Sequence, residues 1–146
     1  MESEKLGFRE GLTDGVPIGL GYLSVSFSFG ISAVTQGVSA LAATVVSMTN
    51  LTSAGQVAGL GIITAAGTLF EMALAQLIIN LRYALMSLSL SQKLDSGFTT
   101  PHRFLAAFGI TDEIFAVASG KPKEVTSSYM YGLIALPFLC LSLIHI

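Results

Sequence analysis

Between Asp14 and Glu71 the chain carries no Asp, Glu, Lys or Arg, so the 56 residues from Gly15 to Phe70 are uncharged. A soluble domain spreads charge over its surface, at roughly 25% of residues. A gap this long leaves the segment without a polar exterior and points to a chain whose side chains face lipid. The whole chain agrees, with 52% hydrophobic and 11% charged residues among 146. The fold class implied is all-α, a polytopic helical membrane protein.

The net charge of −2 and the lack of a basic stripe interleaved with aromatics exclude nucleic acid as the expected partner. Cys140 is the single cysteine, and His102 and His145 lie far apart, so no disulfide framework or zinc spacing exists and no metal or cofactor is expected. Three acids among the first ten residues differ from the cationic leader of a cleaved signal peptide. The chain therefore divides into an N-terminal cytoplasmic segment, 1–15, and one transmembrane helical domain, 16–146, that reads as incomplete at its C-terminus.

Val16 to Gln36 is long enough to cross about 30 Å of hydrocarbon. Pro17 suits its first turn, where a missing N–H costs nothing, and Gly37 with Ser39 marks the exit. Gly21, Ser24, Ser28 and Ser32 recur at helical spacing as a small-residue packing face. Val38 to Phe70 is too long for one upright span and short for two. It is expected to break at Thr49–Gln56, where polar side chains compete for the backbone and Gly55 tolerates unusual dihedrals. Unwound backbone at membrane depth must be buried in protein or line a cavity, which makes Asn50 to Gln56 a cavity candidate within a fold of broken or re-entrant segments.

Glu71 to Gln92 forms a third helix with two polar faces. Gln76, Asn80, Ala84, Ser87 and Ser91 share one sector, while Arg82 lies on the opposite side. Glu71 and Arg82 are about three turns apart and cannot pair directly within one helix, so each is expected to find a partner from another segment. Lys93 to Arg103 reads as a polar loop with Gly97 and Pro101 as breakers. Phe104 to Ser119 reads as two half-helices, the first ended by Gly109 and the second capped by Thr111 or Asp112. Val125 to Ile146 is a further apolar segment containing Pro137. Basic residues at Lys5 and Arg9, Lys93 and Arg103, and Lys121 and Lys123 favour a cytoplasmic N-terminus without settling the later loops.

Gly7-Phe8-Arg9-Glu10-Gly11 with Pro17-Ile18 and Gly21, Met48 through Gly55-Gln56, Ile79-Asn80-Leu81-Arg82-Tyr83 with Ser87-Leu88-Ser89, and Gly109-Ile110-Thr111-Asp112-Glu113-Ile114-Phe115-Ala116 follow in the order and spacing of known motifs. Over roughly Gly7 to Leu136 the chain resembles the AzlC/YgaZ family. The resemblance implies the large subunit of an exporter of branched-chain amino acids (valine, leucine, isoleucine, with methionine a further candidate). It also implies a multi-pass place in the bacterial inner membrane beside a small AzlD/YgaH-type subunit. Two departures stand out. The second motif, Leu51 to Val57, lacks the family's aromatic rings, and Tyr83 replaces the histidine that commonly follows the arginine. The tail Cys140 to Ile146 does not look like family sequence, and His145 is given no functional weight.

Within that reading Asn50, Gly55, Gln56, Asn80 and Arg82 are the expected substrate or transport residues. Asp112 and Glu113 are the proton-coupling candidates, because an ionised carboxylate at membrane depth costs about 2.5–3.5 kcal/mol and is rarely idle. With Asp112 as a helix cap, Glu113 becomes the better proton carrier. Glu71, Pro17 and Gly21 are the structural candidates. Alternatives remain open: Arg82 in an ion pair with Glu71, Asp112 or Glu113, Asn80 in an interhelical clasp, Asn50 to Gln56 as a loop at the water interface, and the whole chain as a non-transporting scaffold or a channel. No zinc-protease His-Glu-x-x-His, Gly-x-Ser-x-Gly elbow or Walker loop occurs, so no enzyme is expected.

Overall fold

The computed structural model describes residues 6–143. Lys5, half of the first basic cluster, and His145 lie outside the described residues. Among them the chain forms α1 (Phe8–Thr35), α2 (Ala40–Thr49), α3 (Ser53–Thr64), α4 (Leu69–Ser91), α5 (Thr100–Phe108), α6 (Asp112–Gly120) and α7 (Ser127–Leu143). The all-helical class agrees with the sequence. At 28 and 23 residues, α1 and α4 are apolar and long enough to cross a bilayer.

The first helix starts earlier than expected. It begins at Phe8, so the boundary drawn at residue 15 falls inside it and Pro17 sits in its interior. The charged first turns are tolerated because Glu10 and Asp14, one turn apart, both meet Lys121, at 3.3 and 2.7 Å. α1 ends in a Schellman motif, with Gly37 at φ +85° and the N–H groups of Gly37 and Val38 donating to Val34 and Ala33.

The central packing event is a close crossing of α1 and α7, which run parallel. A Cβ added at Gly11 would lie 2.1 Å from the Tyr129 carbonyl oxygen, and one at Gly132 would lie 2.1 Å from that of Phe8. Gly15 faces Leu133 and Pro137, and Gly19 faces Leu136 and Cys140. The packing stripe is therefore Gly11, Gly15 and Gly19, continued by the buried Tyr22, Ser26, Phe29 and Ala33. The expected stripe lies on another face: Gly21, Ser24 and Ser28 are exposed, and nothing described comes within 4 Å of a Cβ at Gly21. Both stripes have helical spacing. The selected one places glycines opposite backbone, where only a missing Cβ allows contact.

The expected break in the second apolar stretch falls at Asn50–Thr52, between α2 and α3. Asn50 is extended (φ −133°, ψ 96°), and so is Thr52 (φ −97°, ψ 109°). The two half-helices also form, but α5 starts at Thr100, inside the expected loop. Pro101 sits in its first turn, initiating the helix where it was expected to break structure. A short bridge between Leu94 and Val125 ties the loop after α4 to the start of α7.

Gly132→Ala is expected to cost about 1–3 kcal/mol of stability because backbone must move to admit the methyl group. Gly21→Ala should stay within about 0.5 kcal/mol. Thermal unfolding in detergent compares them, and equal effects would refute the crossing.

Candidate functional site

Breaking a helix frees backbone groups that must find partners, and in this chain amide side chains supply them. The Asn50 Nδ2 donates to Gln76 Oε1 at 3.2 Å, and the Thr52 N–H donates to Asn50 Oδ1 at 3.3 Å. The Gln56 Nε2 reaches back to the Asn50 carbonyl at 2.7 Å. From α4, Gln76 Nε2 donates to the Gly55 carbonyl at 2.8 Å, Asn80 Nδ2 donates to Gln76 Oε1 at 3.3 Å, and Thr52 Oγ1 donates to Asn80 Oδ1 at 2.9 Å. Asn50, Gly55, Gln56 and Asn80 thus meet, with Thr52 and Gln76 as further members, while Arg82 of the same expected set lies outside the cluster. Gln56 is 1% exposed, and its Oε1 has no hydrogen-bond partner among the described residues.

Gly55 serves this cluster by its size. It lies in the first turn of α3 without a positive φ, contrary to the expectation of unusual dihedrals. A Cβ there would come within 2.7 Å of Gln76 Oε1 and 2.9 Å of Asn50 Nδ2.

Charges gather at the start of α6. Thr111 is its N-cap, accepting from the Ile114 N–H, so Asp112 and Glu113 both occupy the first turn, where the helix dipole favours carboxylates. Asp112 Oδ2 pairs with the Arg82 guanidinium at 2.7 Å, while Asp112 Oδ1 is buried without a hydrogen-bond partner among the described residues. Arg82 also donates to the Tyr83 hydroxyl at 3.0 Å and lies over that ring, 4.9 Å from its centre. Glu113 accepts from the Tyr22 hydroxyl at 2.5 Å. Of the partners open to Arg82, the fold selects Asp112.

Among the described residues Glu71 finds no partner on another segment. Its carboxylate accepts from the Thr68 N–H at 2.7 Å while Thr68 Oγ1 accepts from the Glu71 N–H, a capping box at the start of α4. The signature was visible as Thr68-x-x-Glu71 ahead of an apolar run. Pro17 and Gly21 lie on exposed surface of α1 away from both groups. Tyr22 was missed. The usable signal was a tyrosine on an apolar helix, whose hydroxyl needs a partner once the ring is buried.

Between the amide cluster and α5 lies a cleft of about 190 Å³. Asn50, Thr52, Asn80 and Tyr83 give it polar walls, and Leu51, Ala107, Phe108 and Ile110 give it apolar ones. Asn80 sits near the middle of α4, so a crossing α4 carries the cleft to mid-bilayer depth. Amides facing an aliphatic wall suit a small solute with a polar, hydrogen-bonding end and an apolar one. A third cluster lies apart: Lys121 bridges Asp14 and Glu10, and the Tyr129 hydroxyl donates to Asp14 at 2.6 Å. The bond to Asp14 holds the Lys121 ammonium above its ordinary range, and the cluster fastens the α6–α7 loop to α1.

Broken apolar helices around a mid-helix polar cleft define a helical membrane protein, and sequence comparison gives the family. The AzlC protein family matches residues 17–146. An uncharacterized membrane protein of Archaeoglobus fulgidus is 35% identical over 116 residues, covering 80% of this chain and 50% of that protein. The inner membrane protein YgaZ of Escherichia coli K12 is 32% identical over 114 residues, covering 78% and 46%. The chain belongs to the AzlC family and spans about half the length of these relatives. The match runs through Ile146, so the tail from Cys140, expected to lie outside the family, lies within it. No solved structure matches the chain.

Gly55→Ala is expected to separate Gln76 from Asn50 and open the break, whereas Thr68→Ala should only lower stability, by about 1 kcal/mol. Hydrogen exchange at the Asn50–Gln56 amides distinguishes the two. Protection unchanged in Gly55→Ala would contradict the cluster.

Proposed function

We propose that the chain belongs to a proton-coupled exporter of branched-chain amino acids in the inner membrane, with substrate bound in the cleft at the α2–α3 break. The observation that carries the reading is the cleft itself, since a polar rim beside an aliphatic wall matches the two ends of such a molecule. Amide groups of Asn50 and Asn80 can donate to a carboxylate and accept from an ammonium group, while Ala107, Phe108 and Ile110 receive the side chain. Broken helices serve substrates in this way in secondary transporters. Arg82 holds Asp112 beside the cleft through Tyr83, and Glu113 exchanges the proton from its place against Tyr22. A small AzlD/YgaH-type subunit is the proposed partner, and the N-terminus is cytoplasmic in a multi-pass arrangement.

Valine flux through proteoliposomes under an imposed proton gradient tests this. Arg82→Ala, Asp112→Asn, Glu113→Gln and Asn80→Ala are each expected to lower flux by about tenfold or more, the scale of one lost charged hydrogen bond at about 1.5–3 kcal/mol. Wild-type flux in all four removes the mechanism. Ala107→Phe narrows the apolar wall and should lower leucine flux more than valine flux, which competition between the two labelled substrates reads.

A second reading, a non-transporting scaffold, is favoured by one observation: Arg82, Asp112 and Glu113 all have protein partners. It requires that Arg82→Asp combined with Asp112→Arg restore whatever either single change removes.

A further inference from the structure

A larger hollow, of about 330 Å³, adjoins the same α5 wall further along, between α5 and the C-terminal end of α4. Leu90, Leu94, Phe98 and Met130 are among the side chains that make it strongly apolar, and Ser87 and Ser91 sit along one wall. No acidic residue lines it, and its one charged lining residue is Arg103. The Arg103 Nε donates to the Phe98 carbonyl at 3.2 Å, which aims the side chain, while its two terminal amino groups have no partner among the described residues. Phe104, Leu105 and Phe108, on the same helix, are exposed apolar side chains.

Position along α4 sets the depth of this groove. Ser91 is the last residue of α4 and lies about 16 Å along the axis from Asn80, at 1.5 Å per residue. The polar loop follows immediately. If Asn80 is near mid-bilayer, Arg103 stands at the level where lipid phosphates lie. The groove thus offers an apolar channel reaching into the membrane and a partly unpaired guanidinium at its mouth, whose planar fork suits phosphate oxygens.

We propose that this groove is a binding site for an anionic phospholipid, with one acyl chain between α4 and α5 and the phosphate on Arg103. The proposal rests on α4 crossing the bilayer, as in the functional reading above, but not on transport. Charge complementarity selects the occupant: an apolar groove with a single cation and no acid favours an anionic amphiphile over a zwitterionic one. Ala107 and Ile110 line both this groove and the substrate cleft, so a bound chain would brace the wall that the two share.

The test reads lipid retention, independently of flux. The chain is reconstituted in nanodiscs containing equal phosphatidylglycerol and phosphatidylcholine, purified, and its retained lipid counted by native mass spectrometry. Wild type should keep phosphatidylglycerol in preference to phosphatidylcholine. Arg103→Gln should lower that preference by about fivefold, Arg103→Lys should keep most of it, and Ser91→Phe should fill the groove and abolish retention. Equal retention of the two lipids by wild type overturns the proposal with no variant needed. So does an unchanged preference in Arg103→Gln, or a Ser91→Cys variant that crosslinks to a second copy or to a partner protein through the groove.

Discussion

The rest of the described structure hangs on the parallel contact of α1 with α7. Gly11, Gly15 and Gly19 lie against Tyr129 to Cys140, and Gly132 admits the backbone of Phe8 in return. In lipid there is little hydrophobic gain from bringing two apolar helices together, so close van der Waals packing must supply the attraction, and glycines permit it. The contact places Tyr22 where its hydroxyl meets Glu113, and Tyr129 where it meets Asp14. The Tyr22 bond anchors α6 to α1, and the Tyr129 bond holds Asp14 where it meets Lys121 of the loop after α6. The position of the carboxylates is a consequence of the glycine crossing.

The second constraint is the cost of broken helices. Between α2 and α3 the chain leaves helical geometry, and in a low-dielectric setting each freed amide or carbonyl needs a partner. Side-chain amides of Asn50, Gln56 and Gln76 bond the Thr52 N–H and the Asn50 and Gly55 carbonyls, and Asn80 joins the network through Gln76 and Thr52. The remaining unpaired Gln56 oxygen shows that the cluster is not fully self-satisfied. A neutral network of this kind can exchange internal bonds for bonds to a solute at lower cost than an ion pair can. On the proposed function, that property favours the break over the Arg82–Asp112 pair as the place for the substrate.

Much of this was legible in the sequence. The break at Asn50, the pair of half-helices, and the shared polar face of Gln76 and Asn80 all follow from polar residues placed against an apolar background. Other features were not. The small-residue face was assigned to Gly21, Ser24 and Ser28 because their spacing is helical, yet Gly11, Gly15 and Gly19 have the same periodicity, and one helix cannot reveal which face its neighbour occupies. Glu71 was expected to seek a distant charge, although a local capping box satisfied it. The start of α1 was placed after its charges, because a carboxylate near a span reads as its boundary until Lys121, from the far end of the chain, is seen to bridge Glu10 and Asp14.

By itself the sequence determined the membrane helical class, the breaks and the family, since these depend on local composition, on backbone chemistry and on motif order. Only the tertiary structure decided which glycines meet backbone, that Arg82 takes Asp112, and that Glu113 takes Tyr22. The physical reason is that a charge or a glycine specifies the kind of partner it needs but not its address. The address is set when helices distant in sequence are brought within a few ångströms of one another.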